Sequence, residues 1–251
     1  MKILICGDLH TKYHILEGVK SVANDYDYII FLGDYVDEWD TVPEASYNIL
    51  NSLIEFKKAN PEKVILLLGN HDLSEWLGGA FVCSGYNYLT SSLVRPLFEQ
   101  NEDLFDLSCT YHDILFSHAG LTKNWAKRYI GSTTFTAQEY SVTMNQKFHD
   151  RHEDFLHGLA QAGSARGGKG LPSPIWADRT ELMVDRYFHF RQVVGHSPIE
   201  TLTPYPLDSL EKAQIVVCDT HSLYPNKIPY GDNSLLEIVD DTFRFRHFPT
   251  S

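Results

Sequence analysis

The chain has 251 residues, 43% hydrophobic and 22% charged, a mix that builds a sizeable core and excludes global disorder. Acidic residues outnumber basic ones 33 to 21, and the net charge of −12 disfavours a general nucleic-acid binder, whose footprint is basic. The longest aliphatic run, residues 64–68, is far shorter than the ~20 residues a membrane helix needs. The apolar start at 3–6 runs straight into Gly7-Asp8, unlike a signal peptide. Cys6, Cys83, Cys109 and Cys218 form no CxxC pair, which argues against a zinc knuckle and a dithiol redox site. Cys6 and Cys218 lie in apolar runs and read as buried thiols, which points to a reducing, cytoplasmic compartment.

In chain order, residues 2–6 read as a strand ending in Gly7-Asp8-Leu9-His10. Residues 28–32 form a second, ending in Gly33-Asp34-Tyr35-Val36-Asp37, and 63–68 a third, ending in Gly69-Asn70-His71-Asp72. Between the last two, Ile49, Leu53 and Ile54 have near-helical spacing, which predicts a helix over 43–58. Short aliphatic strands suit burial on both faces, with helices covering a largely parallel sheet. Residues 121–173 lack an obvious buried strand and are expected to be a cap or lid over one end of the sheet. Within them, 136–160 predicts helix carrying His149, His152 and His157 toward solvent, and 163–170 a glycine-rich loop. Strands at 113–116, 192–194 and 214–218 end in Ser117-His118-Ala119-Gly120, Gly195-His196-Ser197 and Asp219-Thr220-His221. Residues 234–239 and 242–247 alternate about Asp240-Asp241 as a closing hairpin.

The chemistry lies in the repetition. An isolated Asp-x-His is an ordinary turn. Here five strand ends carry Asp, Asn or His, and open α/β sheets gather such ends at one edge. Asp8, His10, Asp34, Asn70, His118 and His196 would converge as two carboxylates, one amide oxygen and three imidazoles. That mixed set suits two borderline divalent cations, with Asp34 able to bridge them.

These blocks, spanning residues 7–197, resemble the signatures of the calcineurin-like metallophosphoesterase superfamily. The match is best with its phosphoprotein-phosphatase branch, which includes bacterial and phage serine/threonine phosphatases and diadenosine tetraphosphatases. The resemblance implies an α/β fold, a four-layer α/β/β/α sandwich with a mixed central sheet and a small cap at 121–173, in a single domain over 1–251. It implies that Asp8 and His10 bind the first metal and Asp34 bridges, with Asn70, His118 and His196 completing the second site. It also implies that His71 is the catalytic histidine and Asp37 the residue that orients it. The two ions would be manganese, with iron or zinc as alternatives. A hydroxide shared between them would attack phosphorus in line while His71 assists the leaving oxygen.

Glu38 stands where many protein phosphatases carry an arginine, and is followed by Trp39 and Asp40. A carboxylate there repels phosphate, so a substitute cation is needed. Arg179, in Ile-Trp-Ala-Asp-Arg, is the first candidate for substrate binding, together with Asn70; Arg166 and Lys169 come next. Pro198 replaces the second histidine of a Gly-His-x-His block, which fits the phosphatase branch. His221 is expected to support the site rather than bind metal, and Trp39, Trp76 and Tyr86 to Tyr88 to pack, with a place in a cleft left open. The leading expectation is a phosphomonoesterase acting on a phosphoprotein or small phosphorylated molecule. The alternatives are a diadenosine polyphosphate or nucleotide pyrophosphohydrolase and a catalytically silent metal-binding scaffold. The expected partner is the phosphorylated substrate, with no membrane and no general nucleic acid; the sequence leaves oligomeric state open.

Overall fold

The computed structural model describes residues 1–39, 41–185, 189–205, 213–224 and 226–247. Asp40 lies outside the described residues. The strands are β1 (Lys2–Cys6), β2 (Tyr28–Phe31), β3 (Val64–Leu67), β4 (Phe105–Asp106), β5 (Ser108–Tyr111), β6 (Ile114–Ser117), β7 (Arg191–Val194), β8 (Thr203–Tyr205), β9 (Ile215–Val217), β10 (Ser234–Val239) and β11 (Thr242–His247). The helices are α1 (Tyr13–Ser21), α2 (Pro43–Ala59), α3 (Asn70–Leu77), α4 (Tyr88–Gln100), α5 (Lys123–Tyr129), α6 (Ala137–His149), α7 (Glu153–Leu159) and α8 (Arg179–Val184).

The strands form two mixed sheets, ordered β11-β10-β1-β2-β3-β4 and β5-β6-β7-β9-β8. In the first, β1 to β4 run parallel, and the β10–β11 hairpin is antiparallel on the edge of β1. In the second, β6, β7 and β9 are parallel, with antiparallel β5 and β8 at the edges. The two sheets face each other as the two β layers of the expected α/β/β/α sandwich, and both are mixed.

Strand alternation explains the layers. Ile3, Ile5, Ile30, Leu32 and Leu67 point inward and meet Ile114, Phe116, Val193 and Val216 of the second sheet. Their alternates Leu4, Cys6, Ile29, Phe31 and Leu66 pack on Leu16, Val19, Ile49, Leu53 and Leu73 of α1, α2 and α3. On the far face, Val194, Ile215 and Val217 pack against Leu182 of α8. A strand with two covered faces must be apolar throughout, which is why these runs are almost purely aliphatic.

The helix expected over 136–160 is present as two segments, α6 and α7. Thr136 opens α6: its Oγ1 accepts the Glu139 N–H at 3.2 Å and the Glu139 carboxylate accepts the Thr136 N–H at 2.7 Å, satisfying donors a helix leaves open. Tyr140, Met144 and Phe148 of α6 and Phe155 of α7 join the large core. Much of the 121–173 stretch therefore lies against the body of the fold, and its 3-10 turn at Ser164–Arg166 reaches the site described next.

Candidate metal centre

Two groups of side chains, Asp8–His10–Asp34 and Asp34–His118–His196, each bring potential ligand atoms within 4.8 Å of one another. Asp34 belongs to both. Its Oδ2 lies 3.8 Å from His10 Nε2 and 3.4 Å from His118 Nε2. The Asn70 Oδ1 is 3.1 Å from His118 Nε2, so all six residues singled out in the sequence meet. Asp8, His10 and Asp34 come from loops after β1 and β2, Asn70 opens α3 after β3, and His118 and His196 follow β6 and β7 of the other sheet.

The backbone is bent to achieve this. His10 (φ 40°), Asp34 (φ 51°), Asp37 (φ 66°) and His196 (φ 62°) all adopt left-handed conformations that cost free energy outside glycine. Hydrogen bonds hold them there. Buried Asp72 accepts the N–H groups of Asp34 at 2.7 Å, Tyr35 at 2.9 Å and Gly69 at 2.9 Å, joining two of the loops. The Asp8 carboxylate accepts the His196 N–H at 3.0 Å, across the two sheets. Gly195 permits this approach, because a Cβ there would sit 2.1 Å from Asp8 Oδ1.

The imidazoles are oriented from behind, as ligands to metal usually are. His10 Nδ1 donates to the Asp37 carbonyl at 2.7 Å and His118 Nδ1 to the Leu32 carbonyl at 3.0 Å, turning each Nε2 toward Asp34. His221, also buried, places Nδ1 3.1 Å from the Asp8 carbonyl and so braces the loop rather than joining either group.

Electrostatics favour cations. Asp8, Asp34, Asp37, Glu38 and Asp219 line a cavity of about 590 Å³, against a single Lys or Arg among the described lining residues, Arg166. Burial and neighbouring Asp219 push the Asp8 carboxyl well above the usual range. Burial opposes protonation of His118, yet Asp34 and Asp8 outweigh it and lift its pKa to about 9. That pull on a proton is a demand for positive charge that a divalent ion meets. Burial and Arg166 hold His196 well below its ordinary value, as the neutral imidazole a metal requires. Its Nε2 is buried and has no hydrogen-bond partner among the described residues. The donor set therefore fits borderline divalent metal ions.

His71, next to Asn70, lies in the same cavity with Nδ1 2.7 Å from Asp37 Oδ2. Burial opposes its charged form, but Asp34 and Asp37 raise its pKa well above the usual value.

Arg166 lines the cavity; Arg179 and Lys169 do not. Arg166 Nη2 donates to the His196 carbonyl at 3.1 Å and Ser197 Oγ at 3.2 Å, and pairs with Asp178 at 3.1 Å. Arg179 instead starts α8, its N–H donating to Ser197 Oγ at 3.0 Å. Trp39, half exposed, and Trp176 line the cavity, whereas Trp76 is buried, stacked on Phe98 at 5.3 Å. Of the tyrosines beside Asn87, Tyr88 faces solvent, and it is Ser84, Gly85 and Asn87 that reach the lining. The sequence reading passed over Asp72, Asp219 and Trp176. For Asp72 a signal existed: an acidic residue three positions after Gly69, where a helix start takes a carboxylate.

Comparison with known proteins agrees with this geometry. The calcineurin-like phosphoesterase family model matches residues 1–241. Among solved structures, the fold is similar to a cold-active protein-tyrosine phosphatase of a psychrophilic Shewanella (17% identity, 97% of this chain and 80% of that chain covered, TM-score 0.57). A looser likeness is to a putative diadenosine tetraphosphatase (15% identity, 99% of this chain and 94% of that chain, TM-score 0.46). Among the described residues no helix is long and apolar enough to cross a membrane. A family match over nearly the whole chain, on a two-sheet sandwich whose strand ends gather these ligands, identifies the chain as a member of the calcineurin-like phosphoesterase family, a metal-dependent phosphoesterase.

Proposed function

We propose that the cavity hydrolyses phosphoric monoesters, of a phosphoprotein or a small molecule. Asp8, His10 and Asp34 would hold one divalent ion, and Asp34, Asn70, His118 and His196 a second. The observation that carries the monoester reading is the single cation, Arg166, in a described lining with five carboxylates. One phosphoryl group needs no more positive charge than the ion pair and Arg166 supply. A diadenosine polyphosphate would bring further phosphates into a cavity whose described lining offers no second Lys or Arg to meet them.

Two divalent ions in these groups would lower the pKa of a water and neutralise charge on the phosphoryl oxygens. The chain's own residues do the rest. Asp37 fixes the ring of His71 through Nδ1, which leaves Nε2 to carry a proton to the leaving oxygen. The Asp37 carboxylate against Nδ1 favours the protonated ring that this step needs. Arg166 binds a phosphoryl oxygen: the bonds described for it all use Nη2 and its Nε is buried, which leaves Nη1 for the phosphoryl group.

A donor set without thiolate supports manganese, or iron or zinc, as the native metal. Four free cysteines support a reducing, cytoplasmic setting. The partner is the phosphorylated substrate, with neither membrane nor general nucleic acid.

Turnover of a phosphopeptide, an aryl phosphate and diadenosine tetraphosphate, each with manganese, tests the reading. We expect the monoesters to be hydrolysed at the higher kcat/KM. Preference for the dinucleotide would overturn it, and no turnover of any of the three with manganese, nickel or zinc would indicate a binding scaffold.

A further inference from the structure

We propose that Lys12 and Glu38 form a clasp that positions Asp37, and through Asp37 the ring of His71, for proton delivery to the leaving group. The inference rests on the monoester reading above. Lys12 Nζ is hydrogen-bonded to Glu38 Oε2, and each side chain is only 9% exposed. Lys12 Nζ also approaches the His10 carbonyl at 3.5 Å, and Glu38 Oε1 accepts the Trp39 N–H at 2.9 Å.

The clasp completes a seam between the loops after β1 and β2. Leu9 and His10 donate their N–H groups to the Asp34 carbonyl at 3.0 and 2.8 Å, and Thr11 donates to the Tyr35 carbonyl at 3.0 Å. This run of inter-loop backbone bonds stops at Tyr35. Beyond it lies Asp37, held at φ 66°, a conformation its surroundings must impose. Two contacts act on its backbone: its N–H donates to Ser46 Oγ at 3.2 Å and its carbonyl accepts from His10 Nδ1 at 2.7 Å. The Lys12–Glu38 pair carries the seam one residue past Asp37 and fixes the chain leaving it.

Removing either partner would leave a charge in a nearly dry place, and the cheapest relief is for the survivor to swing out to water. Glu38 doing so would take the Asp37 turn with it. The separation of Asp37 from His71 would then widen, while the ligand groups, held by Asp72 and the backbone seam, stay together. Lys12 is absent from the described cavity lining, so it acts through Glu38 and not by touching substrate.

The test uses Lys12→Met, Glu38→Gln and the conservative Lys12→Arg, with kcat and KM on 4-nitrophenyl phosphate and phenyl phosphate, manganese content and thermal melting. The poorer leaving group depends more on an acid. We expect Lys12→Met and Glu38→Gln to bind manganese fully and, with KM unchanged in Lys12→Met, to lose about tenfold in kcat on phenyl phosphate, part of the ~10²–10⁴-fold that acid assistance supplies. The loss on the nitrophenyl ester should be much smaller, and Lys12→Arg should restore both rates. Equal losses on the two esters, or loss of manganese, would overturn the inference and mark the pair as support for the fold or the ions. If Lys12→Met does not fold, Glu38→Gln, which keeps the shape but offers one acceptor to the two donors of Lys12 and Trp39, decides in the same way. A wild type inert toward both esters yet active on the dinucleotide would overturn the monoester reading, and the inference with it.

Discussion

The Nδ1 of His71 sits 2.7 Å from the Asp37 carboxylate, while the backbone N–H of the same His71 donates to Asp34 Oδ1 at 2.9 Å. One residue is thus held by two different carboxylates, ring by Asp37 and backbone by Asp34, only one of which belongs to the ligand groups. His71→Ala should therefore retain manganese and cut kcat by ~10²-fold or more on an ester with a poor leaving group. Metal analysis beside steady-state kinetics checks this, and full turnover would sink the acid assignment.

Asp34 is the residue common to both ligand groups. Asp34→Ala should lose at least one of two ions per chain, measured by elemental analysis after desalting, with activity falling further than for His10→Ala. A variant that keeps both ions would show that Asp34 bridges nothing.

Arg166 and Arg179 divide cleanly between cavity and helix start. Arg166→Ala should raise the Ki of inorganic phosphate by about tenfold or more, the worth of a hydrogen bond to a charged group, ~1.5–3 kcal/mol. Arg179→Ala should change it little. The reverse pattern would return the anion contact to Arg179.

Gly85 (φ +96°) lies against Asp37: a Cβ on it would come within 2.2 Å of Oδ2. Gly85→Ala must therefore displace the carboxylate or the loop, and it adds backbone strain of ~1 kcal/mol or more. The expected outcome is a fall in kcat with unchanged manganese content.

Glu75 is buried with Oε2 unpartnered among the described residues. Burial, opposed by the Asn87 N–H, raises its pKa from 4.5 to about 7. Its neutral form is the one the fold favours. The associated stability is present below the ordinary value and lost as pH rises through about 7. Glu75→Gln cannot ionise, so its Tm should exceed that of the wild type at pH 8, by ~2–4 °C for each kcal/mol recovered. The gap should close at pH 4. A gap that does not vary with pH would mean Glu75 is not neutral in the fold.

Much of this was legible because ligands sat at the ends of strongly apolar runs. The closing hairpin was read to the residue, since Asp240-Asp241 breaks two strand-like runs of equal length. Strand β4 has two residues and β5 is Ser-Cys-Thr-Tyr, so neither carries a periodic signal. Strand β8 contains Pro204, which is tolerable only because β8 is an edge. With those strands unseen, the edges of the two sheets could not be drawn from periodicity, and the two β layers came only from the family resemblance. Arg166 outranked Arg179 through the path of a loop, and loop paths have no period to read. The Lys12–Glu38 pair joins residues 26 positions apart and exists only after β1 and β2 lie side by side.

Since Asp8, His10, Asp34 and Asn70 hang from one sheet while His118 and His196 hang from the other, whatever fills the groups between them acts as a rivet through the whole sandwich. Loading the reaction centre and consolidating the architecture become one thermodynamic event, so that stripping the ions with a chelator would loosen the seam between the sheets along with the chemistry.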